Sequence, residues 1–127
     1  MKDRLMYVEL KTGHSDKGPA WIGLALFSKT RETIYFNGLS FLKGGHGKEG
    51  NYLERFSGDY YWISGVKKDG KDRHWAGGGK IKIDKIVVPE YLELTNLSKL
   101  PGHFEIVELN NEPPIQEFHA IENRKLN

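Results

Sequence analysis

The spacing of turn-forming residues is the sequence feature that most restricts the fold of this chain. Glycine and asparagine divide the sequence into short segments rich in β-branched and aromatic residues, and none of these segments has the length or the caps of a long helix. The pair Asn37-Gly38, which separates segments 33–36 and 39–43, is a strong signal for a two-residue hairpin turn. The pattern therefore predicts an all-β protein.

We expect seven or eight short strands, mainly antiparallel, that form a small barrel or a strongly bent sheet with at most one or two short helices. Pro89 suits the first turn of a short helix that ends near Leu94. The chain of 127 residues predicts one β-rich domain over 1–109 and a C-terminal tail over 110–127. The candidate strands cover residues 5–10, 20–28, 33–36, 39–43, 52–56, 60–66, 72–77 and 80–84, and residues 103–109 are a last plausible strand.

Composition excludes several classes of protein. The sequence has no cysteine, so it predicts neither a disulfide framework nor a thiolate metal site. No apolar run approaches the roughly 20 residues of a membrane span, and we expect a cytoplasmic protein that does not bind membranes. The net charge of +2 argues against a general nucleic-acid binder, although residues 65–85 hold seven lysine and arginine residues against three aspartates.

The stretch from Asp59 to Gly79 predicts a second hairpin, closed by a two-residue turn at Asp69-Gly70. In that register Lys67 lies opposite Asp72, which is a favourable cross-strand pair. Because side chains alternate between the two faces of a strand, the hairpin sorts its residues into two sets. One face carries Trp62, Ser64, Val66, Arg73 and Trp75, and the other carries Tyr61, Ile63, Lys67, Asp72, His74 and Ala76.

The first face predicts a ligand-binding surface. Two indoles and a guanidinium within cross-strand reach can stack a planar ligand and contact an anionic group. The glycine run 77–79 weakens a strand and indicates a bulge or the close approach of a ligand or another backbone. The alternative is that Trp62 and Trp75 belong to the core, with Arg73 at its edge. The predicted ligand-binding residues are Trp21, Trp62, Arg73, His74, Trp75, Gly77 and Gly78.

Catalytic and metal-binding signals are weak. His74 is the best candidate for acid–base chemistry, but its neighbour Asp72 already pairs with Lys67 in the expected register. The five histidines lack metal-ligand spacing, so we predict no metal site and no cofactor. Residues 45–50 match G-x-G-x-x-G, but the segment after them predicts a strand where a nucleotide site requires a helix.

Several strings resemble a family of short bacterial proteins, over roughly residues 7–92. They are Lys11-Thr-Gly-His14, Gly18-Pro-Ala-Trp-Ile-Gly23, Lys29-Thr30, Ile34-Tyr35, the long string from Ser64 to Gly77, and Ile83-Asp84. The family has no established activity, so the resemblance implies no catalytic residues. Some members are labelled deoxyxylulose-phosphate synthase, but such enzymes hold their cofactor at Gly-Asp-Gly, and here Gly58-Asp59 is followed by Tyr60.

Three hypotheses follow, in order of preference. The first is a non-enzymatic binding module whose aromatic and arginine surface takes a planar or anionic ligand, with single-stranded nucleic acid as a weakly supported case. The second is a protein–protein interaction subunit, since Trp, Tyr and Arg are enriched at interface hot spots. The third is a small enzyme that acts on a phosphorylated substrate through His74 and Arg73.

Overall fold

The computed structural model of the chain describes residues 2–11, 18–30, 32–44, 50–72 and 79–112. Over these ranges the chain forms eight strands and one short helix, so the predicted all-β class is confirmed. In chain order the elements are β1 (Lys2–Leu10), β2 (Ala20–Phe27), β3 (Thr33–Phe36), β4 (Leu39–Lys43), β5 (Tyr52–Glu54), β6 (Tyr60–Gly65), β7 (Ile81–Asp84), a 3₁₀ turn (Lys85–Val87) that continues into helix α1 (Val88–Thr95), and β8 (Phe104–Val107).

Six of the strands close into an antiparallel barrel. Their order in the sheet is β1-β6-β5-β4-β3-β2, and β1 pairs directly with β2 to complete the ring. Closure satisfies the backbone hydrogen bonds of strands that would otherwise lie at a sheet edge. The predicted small barrel is therefore confirmed, and it provides a rigid frame for the side chains on its outer surface.

The barrel interior is filled by alternate residues of the strands. On β1 the side chains of Met6 and Val8 point inwards, because successive side chains of a strand point to opposite faces. Leu109, which follows β8, packs against the same interior. The other buried members of this core are Ala25, Ile34, Phe36, Phe41, Tyr61 and Ile63.

A second core lies on the outer face of β1 and β2. Tyr7 and Ile22 point outwards there and pack with apolar side chains of β7 and with Tyr91 of helix α1, which is 1% exposed. Because β1 and β2 are buried on both faces, Met6, Tyr7 and Val8 are all buried in succession. The other buried members are Ala20, Ile81, Ile83 and Val87.

Two strands extend the barrel sheet in a way that the sequence pattern did not reveal. β7 pairs in parallel with the first half of β2, and β8 pairs in parallel with β7. Helix α1 connects β7 to β8, as a parallel connection requires. The predicted helix was slightly short: it begins at Val88, with Pro89 in its first turn, and ends before Asn96, which adopts a left-handed conformation at φ 57°.

The two predicted hairpin turns have different outcomes. Asn37 and Gly38 both have positive φ, at 50° and 76°, and the turn joins β3 to β4 as expected. The second turn is displaced by one residue, because the Gly70 amide donates to the carbonyl of Lys67 at 3.1 Å. The predicted turn at Asp69-Gly70 was therefore wrong in register. Residues 73–78, most of the expected second arm, lie outside the described residues.

The segment after β8 returns to the barrel. A side chain at Gly23 would collide with Leu109, so these two positions are in close contact. The backbone N–H of Asn110 donates to Oδ1 of Asn37 at 3.0 Å, and Nδ2 of Asn111 donates to Oδ2 of Asp84 at 2.9 Å. Residues 113–127 lie outside the described residues, so the tail over 110–127 stays a prediction.

Candidate ligand-binding surface

Strand β6 places Trp62 on the outer face of the barrel. Tyr61 and Ile63 point into the interior, where they are 8% and 3% exposed, so the residues between and beside them point outwards. Trp62 retains 37% of its surface exposed, and Tyr60, two residues earlier on the same face, also retains 37%. The predicted alternation of this strand is confirmed, and Trp62 is on the surface rather than in the core.

The orientation of the Trp62 ring is fixed by its neighbour along the strand. The indole N–H donates to Oγ of Ser64 at 3.2 Å. Since an indole has one N–H and no acceptor, this bond satisfies its whole hydrogen-bonding capacity. What Trp62 offers to another molecule is therefore the apolar face of its ring.

A buried carboxylate lies across the strand pair from this ring. Glu9 of β1 is directly opposite Trp62 in the β1–β6 register, yet it is only 3% exposed. The hydroxyl of Tyr7 donates to Oε1 at 2.5 Å, and Nζ of Lys11 donates to Oε2 at 2.8 Å. Both carboxylate oxygens are thus satisfied, as a buried charge requires. We name Tyr7, Glu9 and Lys11 the β1 polar triad.

The β1 polar triad was missed in the sequence. Tyr7 and Glu9 are two positions apart on β1, and Lys11 directly follows the last residue of the strand, so the three share the outward-pointing face. The spacing Tyr-x-Glu-x-Lys was visible, but a carboxylate in a charged, strand-like segment normally faces solvent. The sequence pattern therefore did not indicate that Glu9 is buried.

Apolar side chains form a row beside Tyr60 on the outer face. Leu42 of β4 pairs with Leu53 of β5, and Leu53 pairs with Tyr60 of β6, so the three lie side by side across three strands. Leu42 is 37% exposed. We name these three residues the outer-face row. Together with Trp62, they form an apolar strip on the outer face of β4, β5 and β6.

Trp21, another predicted ligand-binding residue, is separated from Trp62 by the sheet. It is opposite Val8 in the β1–β2 register, so it lies on the interior side, whereas Trp62 is opposite Glu9 on the outer side. The ring of Trp21 packs 6.4 Å from that of Tyr61, and Nζ of Lys82 lies 6.0 Å from its centroid. The structure therefore does not bring Trp21 and Trp62 together in one surface.

The other predicted ligand-binding residues cannot be placed. Arg73, His74, Trp75, Gly77 and Gly78 lie outside the described residues, so their roles stay predictions.

The turn that precedes these undescribed residues packs on helix α1. A side chain at Gly70 would lie 3.4 Å from the Tyr91 hydroxyl, and Oδ1 of Asp72 accepts a hydrogen bond from the Lys67 amide at 2.8 Å. Burial, followed by the charges of Asp72 and Asp69, raises the pKa of Tyr91 to about 12. Burial also raises the pKa of Asp72, whose buried Oδ2 has no hydrogen-bond partner among the described residues.

Among the described residues, no group of three or more histidine, aspartate or glutamate side chains is arranged to hold a metal ion. Within the same ranges, the helix is too short to cross a lipid bilayer.

Comparison of the chain with protein-family models, with curated proteins and with solved structures found no match. The family resemblance inferred from the sequence therefore stays a prediction.

Proposed function

We propose that this chain is a non-enzymatic binding module that holds a planar ligand by stacking it on Trp62. The observation that carries the proposal is that an exposed indole on a closed barrel has its only N–H occupied by Ser64. The exposed ring can therefore interact only through its face, which favours flat aromatic ligands. Stacking of one base on one aromatic ring contributes about 1–3 kcal/mol.

The barrel makes this ring an efficient platform because little has to be ordered on binding. β6 is hydrogen-bonded to β1 on one side and to β5 on the other, so Trp62 sits on a central strand. A ring that is already held in one orientation loses less conformational entropy when the ligand binds. Tyr60 lies two residues away, about 7 Å along the strand, and can contact a second part of the same ligand.

Two exposed cations beyond the end of β6, Lys67 and Lys68, support a ligand that carries an anionic group. The charge of Lys11 is already paired with Glu9. Arg73, which the sequence predicts as a ligand contact, lies outside the described residues. A nucleotide or another aromatic phosphate has both the flat ring and the negative charge that this arrangement suits.

The outer-face row favours a second candidate function, the binding of a protein partner. Leu42 and Leu53 are aliphatic and extend the exposed apolar strip beyond the two aromatic rings. Flat apolar strips that include Trp and Tyr are typical of protein interfaces. Such a partner would contact the leucines as well as Trp62, whereas a small planar ligand would contact mainly Trp62 and Tyr60.

A thermal-shift panel tests the proposal. The wild-type protein is screened against nucleotides, sugar phosphates and short single-stranded oligonucleotides, at low and high salt. The same panel is run on Trp62→Ala and on Phe56→Ala. Phe56 is a matched control because it is an exposed aromatic residue in the β5–β6 turn and not on the face of a strand. A ligand at 100 times its Kd adds ~2.7 kcal/mol, which raises Tm by several degrees.

The three proteins together decide between the candidates. We expect one class of planar ligand to raise the Tm of the wild type and of Phe56→Ala but not of Trp62→Ala. A salt-sensitive shift with oligonucleotides would favour nucleic acid over a free nucleotide. An equal shift in Trp62→Ala would refute the stacking site. If no ligand acts on any of the three, and a protein partner binds the wild type but not Leu42→Asp, the second candidate function is favoured.

A further inference from the structure

Strand β8 lies at the open end of the sheet, and its outer edge is unpaired within the described ranges. The barrel closes on itself, but the sheet continues through β7 to β8 and stops there. The amide of Ile81 in β7 donates to the carbonyl of His103 at 2.9 Å. This bond determines which backbone groups of β8 face β7. By the alternation of a parallel pair, Glu105 and Val107 direct their N–H groups to β7. The N–H and C=O of Ile106 therefore point away from the sheet.

This edge has only part of the protection that is usual for a free strand. Edge strands are commonly blunted by short length, by charged side chains, especially lysine, by proline, by a bulge or by a covering segment. Phe104–Val107 is short and carries Glu105, but it contains neither lysine nor proline, and it pairs with β7 over all four residues without a bulge. Ile106 is 55% exposed, so no described segment covers it. An edge with an exposed apolar residue beside one negative charge is suited to receive a strand that brings the opposite charge.

The charge beside the edge selects the kind of strand that it can receive. Residues 100–112 contain three glutamates, Glu105, Glu108 and Glu112, and no lysine or arginine. All three are exposed, and none forms an ion pair in the described structure. Lys82 is the cross-strand neighbour of Glu105, but its Nζ lies over the Trp21 ring instead. The edge is therefore acidic without internal compensation.

We propose that the β8 edge binds an extended basic segment of a partner protein as an added strand. The main chain of Ile106 supplies hydrogen bonds to the incoming backbone, as in other cases of strand addition. Side chains alternate along the added strand, so the register is specific: a lysine or arginine lies opposite Glu105, and an apolar residue lies opposite Ile106. A second copy of this chain is a poorer occupant, because it would bring its own glutamates to the same edge.

The test uses the full chain and a defined peptide. The probe is an acetylated, amidated eight-residue peptide in which lysine and valine alternate. Its binding is followed by fluorescence anisotropy and by the hydrogen-exchange rate of the Ile106 amide. The first control peptide has alternate backbone amides methylated, which removes the hydrogen-bond donors. The second control peptide has glutamate in place of lysine.

Two protein variants separate the edge from general charge attraction. Glu105→Lys reverses the charge beside the edge, and Glu93→Lys is the matched control because Glu93 is an exposed glutamate on helix α1. We expect the lysine–valine peptide to slow exchange at Ile106, and Glu105→Lys to weaken binding by roughly tenfold while Glu93→Lys changes it little. Neither control peptide should bind.

Several results would overturn the proposal. One is the absence of binding at peptide concentrations up to about 1 mM, where even a weak strand addition should be visible. A second is equal binding of the methylated peptide or of Glu105→Lys, which would mean that the edge is not used. A third is concentration-dependent dimerisation of the free protein with protection of Ile106, which would assign the edge to a second copy of the chain.

Discussion

Trp62 and Glu9 lie directly opposite each other across the β6–β1 pair, with an exposed indole beside a buried carboxylate. The pairing places an exposed aromatic residue of β6 next to a buried carboxylate of β1. Glu9 is part of an ion pair and Trp62 is not, so the two side chains should serve different purposes. We therefore expect changes at Glu9 to act on stability and changes at Trp62 to act on binding.

Removal of the buried carboxylate should destabilise the fold. In Glu9→Ala, Lys11 and the hydroxyl of Tyr7 lose the hydrogen bonds that they donate to the carboxylate in a largely buried place. We expect the free energy of unfolding to fall by about 3 kcal/mol, at the low end of the range for one partner of a buried pair, because the Lys11 side chain retains some contact with water. Urea unfolding measures the change, and Glu90→Ala, at an exposed glutamate of α1, is the control and should change it little.

The backbone at Gly50 should not tolerate a side chain. Its φ is +113°, and a Cβ there would lie 2.6 Å from the carbonyl oxygen of Tyr61. Gly50→Ala should therefore lower the free energy of unfolding by about 2 kcal/mol or more. Gly44→Ala is a matched control in the same connection, since a Cβ there would meet nothing within 4 Å. Equal stability of the two variants, measured by urea unfolding, would contradict the close approach of Gly50 to β6.

The pH dependence of stability should contain a contribution from Asp72. Burial raises the pKa of this carboxyl above its ordinary value of 3.8 in the folded state, so folding favours the protonated form. The contribution to stability is fully present below the unfolded-state pKa and is lost as the pH rises through the folded-state pKa. Asp72→Asn retains Oδ1 as an acceptor for the Lys67 amide but cannot ionise.

We therefore expect Asp72→Asn to gain stability relative to the wild type as the pH rises from the unfolded-state pKa of Asp72 to neutrality. Unfolding titrations in urea at a series of pH values measure the difference. Asp69→Asn, at an exposed aspartate of the same turn, is the control. If the free energies of unfolding of Asp72→Asn and of the wild type differ by a constant amount over this range, the result would contradict a raised pKa for the carboxyl group at position 72.

Loss of the hydrogen bond that orients Trp62 should affect binding more than folding. Ser64→Ala removes the acceptor of the indole N–H, at an exposed position where one hydrogen bond contributes about 1 kcal/mol or less to stability. The ring then samples more orientations, so the affinity for a stacked ligand should fall by a few fold. Isothermal titration of the best ligand from the panel measures this change. Unchanged affinity would mean that Ser64 does not position the ring.

The strands of the barrel could be predicted because their signals are local. Asn37 and Gly38 adopt the positive φ values that the hairpin requires, and the alternation correctly placed Trp62 on the face opposite to Tyr61 and Ile63. The parallel addition of β7 and β8 could not be predicted, since alternation of side chains carries no information about strand direction.

The candidate site was only partly predictable for a related reason. A strand pattern sorts residues into two faces within one hairpin, so the sequence separated Trp62 from Tyr61 and Ile63, but it left open which of the two faces is buried. It does not assign faces between distant strands, and Trp21 lies on the interior side of the barrel sheet. The displaced turn at Lys67–Gly70 has a local cause. The Lys71 amide donates a hydrogen bond to the side chain of Asp69 at 2.9 Å, whereas a turn at Asp69-Gly70 would need the same amide for a backbone hydrogen bond.

The stacking of a planar ligand on Trp62 is tested most directly by NMR of the tryptophan indole groups in ¹⁵N-labelled protein. The three indole N–H resonances are assigned with single tryptophan-to-phenylalanine variants, and the protein is titrated with the nucleotide that gives the largest thermal shift. We predict that the Trp62 indole and the Ser64 amide shift together in a saturable way while the Trp21 indole stays in place. Saturable binding that leaves the Trp62 resonance unchanged would contradict the proposed function.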